Sequence, residues 1–201
     1  MLQRNKLVEI SFIPLHLSIS INEQELVKQC LAGEEKGYAM LYNKYAKRIY
    51  HAVFRVMGNS AESEDIVQEA FCIAFEQLGK LKKQNNFEGW VKRIAINQAI
   101  STLRKKKMVF ADDSHLEAVA DEDVDMDEEF LFQCQVDEVK AAIQSLPDGY
   151  RTIVSLHLFE DMGQEEIGNM LGISHATVRS QYHRAKKKIF TVLKDNAHYG
   201  T

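Results

Sequence analysis

The stretch from Gln164 to Arg184 restricts the fold more than any other part of this 201-residue chain. Ile167 and Leu171 stand one helical turn apart with small Gly168 between them, Gly172 breaks the helix, and Ile173 returns to the core. Ser174 is placed to N-cap a second helix that carries Val178 and Tyr182 inward. This is the pattern of a helix-turn-helix, in which a small residue lets two helices approach closely and a glycine tolerates the turn. The second helix projects His175, Thr177, Arg179, Ser180, Gln181 and Arg184 outward, with Lys188 one turn further on. Such side chains donate to phosphates and base edges in a major groove. A plain two-helix hairpin explains the spacing, but not the capping serine and the basic face together.

The rest of the chain is also helical in pattern. Tyr38, Leu41, Tyr42, Tyr45, Ile49, Ala52, Val53 and Val56 recur at three- and four-residue steps, and Gly58-Asn59 stops the run. A second helix is expected from Ser60 or Ser63, with acidic residues in its first turn and Ile66, Ala70, Phe71, Phe75 and Leu78 inward. A third runs from about Phe87, carries Trp90, Val91, Ile94, Ala95 and Leu103 on its apolar face, and ends in the basic run 104–107. Beyond it the pattern predicts a helix over roughly 127–145, stopped by Pro147, and another bearing Tyr150, Ile153, Val154 and Leu158. No segment alternates with period two over a strand's length, so the fold class is all-α.

Charge divides the chain into parts. The net charge of −4 conceals an acidic segment, residues 111–139, with twelve Asp and Glu and no Lys or Arg. Outside it, 25 basic residues face 17 acidic ones, which leaves +8. The segment has too few large apolar groups to offset the entropy of ordering it, so it is expected to be a flexible linker between two small helical domains, 22–110 and 140–201. As a coil its 29 residues would average about 30 Å end to end, and full extension allows about 100 Å.

Several classes are set aside on composition. Three scattered cysteines, Cys30, Cys72 and Cys134, support neither a disulfide framework nor a cysteine-rich zinc site and point to a reducing, cytoplasmic setting. The longest apolar stretch, Ile10 to Ile21, is broken by Ser11, Pro14, His16, Ser18 and Ser20, so no membrane insertion is expected. Arg4 and Lys6 precede it, but no small-x-small cleavage site lies before Asn22, and residues 1–21 are read as an extension of unassigned role. No histidine has a glutamate three residues before it, and no phosphate loop or nucleophile motif is present, so neither an enzyme, a metal site nor a cofactor is expected.

Five segments taken in order carry a resemblance: E-D-I-V-Q-E-A-F (64–71), F-E-G-W-V-K-R-I-A-I-N (87–97), L-R-K-K-K (103–107), L-P-D-G-Y-R (146–151) and the stretch 165–185. Together they resemble the two regions of a bacterial RNA polymerase sigma factor of the small extracytoplasmic-function (ECF) group, over about residues 22–110 and 140–195. The resemblance implies a non-enzymatic subunit that binds core RNA polymerase, directs it to promoter DNA, helps to open the duplex, and is held in check by a partner anti-sigma factor.

By the same resemblance, Asp65, Gln68 and Glu69 dock on the polymerase clamp. Trp90, Lys92, Arg93, Asn97, Arg104 and Lys105 serve the minus-ten element, and the helix-turn-helix serves the minus-thirty-five element. The loop Lys80 to Asn86 receives a base swung out of the stack, and the acidic linker lies along the polymerase's basic RNA path. Trp90 also fits the buried stripe, so core and wedge both remain open for it. Two positions depart from the family pattern: Ser101 stands where aspartate is frequent, which clouds the minus-ten contacts, and Gly168 stands where alanine is frequent, which is expected to be sterically harmless. The rival reading is a two-domain regulator that binds an operator without a sigma role.

Overall fold

The computed structural model describes residues 22–81, 86–105 and 136–199. The extension over 1–21, the middle of the loop before Asn86 and the connector as far as Gln135 lie outside them. Among the described residues all regular elements are helical: α1 (Glu23–Leu31), α2 (Glu35–Met57), α3 (Ser60–Glu76), a 3-10 turn (Leu78–Lys80), α4 (Phe87–Lys105), α5 (Val136–Gln144), α6 (Asp148–Phe159), α7 (Gln164–Leu171) and α8 (His175–Tyr199). The all-α expectation holds. The described residues form two compact units, one from residues 22–53 with those of 61–98, the other from 54–60 with 99–105 and 136–199.

In the first unit the stripes anticipated on α2, α3 and α4 meet in an aromatic core. Phe71 and Phe87 are fully buried. Tyr42 packs edge-on to Phe71 at 4.8 Å, Tyr38 edge-on to Phe75 at 5.0 Å, and Phe75 stacks on Phe87 at 5.9 Å. Burying each such ring contributes roughly 1.5–3 kcal/mol. The sequence reading did not anticipate α1. Asn22 caps it by accepting from Gln24 N, Glu23 and Glu25 occupy its first turn, and Leu26 and Cys30 are buried one turn apart. Its first residue, Glu23, then reaches across sequence: one carboxylate oxygen accepts from the Tyr45 hydroxyl and the other from the Phe87 N–H at 3.0 Å. The carboxylate so placed caps α4, where the first N–H groups have no helical acceptor. Burial first, and Glu23 second, push the Tyr45 phenol far above its ordinary pKa.

In the second unit α5, α6 and α8 close around Ala142, Ile143, Leu146, Val154, Ala185, Ile189 and Leu193. Pro147 ends the α5 turn and leads directly into α6. Arg151, only 6% exposed, donates from Nη1 to the Leu146 carbonyl at 3.0 Å and pairs with Asp148. Within this same unit three successive carbonyls at the end of α2 find donors on α6. Arg55 O accepts from Ser155 Oγ at 3.0 Å, Val56 O from Thr152 Oγ1 at 3.5 Å, and Met57 O from Arg151 Nη2 at 2.9 Å. These are the groups that a helix end leaves without partners.

Candidate nucleic-acid and protein interfaces

α7 ends at Gly172, which lies at φ 72° and donates its N–H to Gly168 O at 2.8 Å, while Ile173 N–H reaches the same oxygen at 3.0 Å. The left-handed backbone favours glycine at this turn. Gly168 is more than a harmless substitute for alanine. A Cβ there would sit 2.9 Å from the Ile173 carbonyl oxygen, so the turn closes more tightly than an alanine allows without a backbone shift. Ser174 Oγ accepts from Thr177 N–H at 3.0 Å and so caps α8, as its position in the sequence suggested.

On α8, His175, Arg179, Ser180 and Lys188 are exposed, and Thr177 and Arg184 are half-buried. Thr177 is bonded to Ser174 Oγ at 2.8 Å, and the Ser180 hydroxyl donates to Thr177 O at 3.1 Å. Lys188 Nζ lies 5.8 Å from the centre of the Tyr150 ring. Gln181 corrects the sequence reading. It is 6% exposed and its Oε1 has no hydrogen-bond partner, so it does not project outward with its neighbours. The reason is helical spacing: Gln181 follows Val178 by three residues and precedes Ala185 by four, and both are fully buried.

On α4, Arg93, Asn97, Arg104 and Lys105 are exposed, and Trp90 and Lys92 are half-buried. Trp90, Arg93, Asn97 and Arg104 fall within about 60° of one another around the axis and form one polar stripe with an indole at its head. Lys92 and Lys105 flank it. The Trp90 ring meets Phe87 edge-on at 6.3 Å, so one side belongs to the core and the other faces outward. Arg104 donates from Nη2 to the Met170 carbonyl, inside the second unit.

On α3, Asp65, Gln68 and Glu69 are all exposed, on the face opposite buried Ile66, Val67 and Ala70. The helix carries five acidic side chains, Glu62, Glu64, Asp65, Glu69 and Glu76, and no basic one. Two of the residues that hold these surfaces in place, Glu23 and Arg151, were not singled out by sequence reasoning. Asn22 followed by Glu23 was a legible helix start.

Residues 41–108 match Sigma-70 region 2, and residues 137–189 match Sigma-70, region 4. The ECF RNA polymerase sigma factor SigW of Bacillus subtilis is 30% identical over 179 residues, which cover 84% of this chain and 95% of that protein. The chain belongs to the ECF group of sigma-70 factors. The RNA polymerase sigma-H factor of Pseudomonas aeruginosa is likewise 30% identical, over 83% of this sigma factor and 91% of its own length. The solved structure of CnrH in complex with the cytosolic domain of CnrY is similar at a TM-score of 0.48 and 21% identity, covering 86% of this chain and 97% of that one. As a sigma factor, the protein binds core RNA polymerase and directs it to promoters for transcription initiation. Among the described residues no helix is long and apolar enough to cross a membrane. Burial pushes the Cys30 thiol up to about 12, so that thiol stays protonated at neutral pH and is a poor nucleophile.

Proposed function

We propose that this sigma factor holds promoter DNA at two points and opens it by trapping unstacked bases. The α8 face, through His175, Thr177, Arg179, Ser180, Arg184 and Lys188, reads the minus-thirty-five element in the major groove. The α4 stripe serves the minus-ten element. Asn97 makes paired hydrogen bonds to a base edge, Lys92, Arg93, Arg104 and Lys105 hold phosphates, and Trp90 offers its outer ring edge to a parted base. Arg104 exchanges the Met170 carbonyl for a phosphate in that complex. No bond is made or broken. Capture of bases in the open state repays the few kcal/mol spent on unstacking them, so binding alone suffices and no catalytic step is assigned.

The observation that supports this reading best is the single polar stripe of Trp90, Arg93, Asn97 and Arg104 on α4, which an operator-binding helix-turn-helix protein does not require. Core polymerase docks on α3 through Asp65, Gln68 and Glu69, whose two carboxylates and amide suit a basic partner. The domain roles, the placing of the acidic linker along the polymerase's RNA path, a cytoplasmic site of action and regulation by an anti-sigma factor belong to the same reading and rest on the family resemblance. Run-off transcription with purified core enzyme and a promoter library tests it. Specific promoter binding and transcripts are expected only when core is present. Tight operator binding by the free chain, unchanged by core, would instead establish the regulator.

A further inference from the structure

Ser101, which stands where aspartate is frequent, is exposed on α4 and belongs to none of the contacts proposed for the promoter. At about 100° per residue it falls about 40° from Asn97 and about 60° from Arg104 around the helix axis, about 6 Å beyond the first and about 4.5 Å short of the second. It therefore lies on the stripe headed by Trp90. Its hydroxyl is given to no group among the described residues, whereas those of Ser180 and Thr191 on α8 bond back to their own helix, to Thr177 O and Lys187 O, each at 3.1 Å. α4 carries four basic residues, and its single acid, Glu88, sits about 160° round from Trp90 and pairs with Arg48 at 3.3 Å. The stripe thus holds no carboxylate over its whole length.

We infer that Ser101 sets how tightly the minus-ten strand is held: its hydroxyl donates to a phosphate beside the base taken by Asn97, and its lack of charge leaves Arg104 and Lys105 for two further phosphates. The inference rests on the minus-ten reading of α4. Residue 101 precedes Arg104 by three positions and Lys105 by four, the two spacings at which helical side chains meet. A carboxylate N-terminal to a cation is the favourable order, so an aspartate here would engage both cations and withdraw them from DNA. A serine cannot. Arg104 and Lys105 pair with no carboxylate among the described residues, and Arg104 donates to the Met170 carbonyl, a neutral acceptor that a charged phosphate oxygen displaces. Donation to that charged oxygen is also what makes one hydroxyl matter, since such bonds are stronger than neutral ones. A base-reading amide, a phosphate-holding hydroxyl and two cations then follow one another along a strand drawn over the helix.

The test uses holoenzyme and a promoter fragment recovered from the run-off library, with its minus-ten region held open by mismatches, and measures affinity at several salt concentrations. Ser101→Ala is expected to weaken binding about fivefold without changing its salt dependence, because no charge is lost. Alanine is the better helix former, so this loss cannot come from a damaged helix. Ser101→Thr keeps the hydroxyl and should stay within about twofold of the unaltered chain. Ser101→Asp should weaken binding about 30-fold at low salt, and the slope of log affinity against log salt should shrink by about 1.4, the share of two phosphate contacts on a single strand. All three should bind core equally well. Arg93→Ala with Asn97→Ala serves as the control for the minus-ten reading. If the control weakens binding while Ser101→Ala and Ser101→Asp do not, Ser101 is an idle surface residue and the stripe stands without it. If the control has no effect either, the minus-ten reading fails and the inference falls with it. Tighter binding by Ser101→Asp would overturn the charge argument outright.

Discussion

α3 and α8 are built on the same plan, an apolar stripe buried against neighbouring helices and a polar face outside, yet their outer faces have opposite sign. α3 carries five acidic residues and no basic one, whereas α8 carries six Lys and Arg against the single acid Asp195. The buried stripes alone do not require this segregation, because solvated faces tolerate either charge. On the roles proposed for them, the segregation lets one chain of modest net charge address a basic protein surface and a polyanion without either site repelling its own target.

The largest effect should come from inverting the α8 face. Arg179→Glu with Arg184→Glu is expected to weaken promoter binding by holoenzyme at least about 100-fold, read by footprinting, with affinity for core unchanged. Inverting α3 instead, with Asp65→Lys and Glu69→Lys, should weaken core binding about 30-fold and reverse its salt dependence, read by titration of labelled chain. If either inversion damaged both activities equally, the division of labour between the helices would be lost. Smaller effects concern the frame that presents α8. Gly172→Ala forces a side chain into left-handed backbone and should cost about 1–2 kcal/mol of stability in denaturant unfolding. Ser174→Ala removes the α8 cap and should cost about 1 kcal/mol. Smallest of all, Gln181→Met removes a buried acceptor that has no partner and should raise stability by up to about 1 kcal/mol, with promoter affinity unaltered. A tenfold loss of affinity would show that Gln181 turns outward on DNA after all.

Much of this arrangement is legible in the sequence. The stripes on α2, α3 and α4, the stops at Gly58 and Pro147, and the turn through Gly172 and Ser174 follow from local periodicity and backbone preference, which act over a few residues. What escaped depends on distant partners or on reading polarity as exposure. Gln181 is polar but occupies the core register between Val178 and Ala185. Sequence alone makes glycine and alanine equivalent small residues at 168, and only the approach of the Ile173 carbonyl shows that a methyl group there requires a backbone shift. L-P-D-G-Y-R was legible as a motif, but not that Arg151 would be buried with its guanidinium donating to the main-chain carbonyls of Leu146, in the turn before α6, and Met57, at the end of α2. The short α1 had a readable start, yet its importance comes from Tyr45 and Phe87, which no local signal links to Glu23.

That last link bears on any shortened version of this protein. The region 2 match begins at residue 41, and an expression boundary chosen there would discard Glu23. The shortened product would keep every side chain assigned to promoter or polymerase, yet the Phe87 amide and the Tyr45 hydroxyl would both lose the carboxylate that now receives them. The first turn of α4 would then lose an acceptor, and, on the proposed role of α4, a defect in melting would follow with the proposed promoter contacts themselves intact.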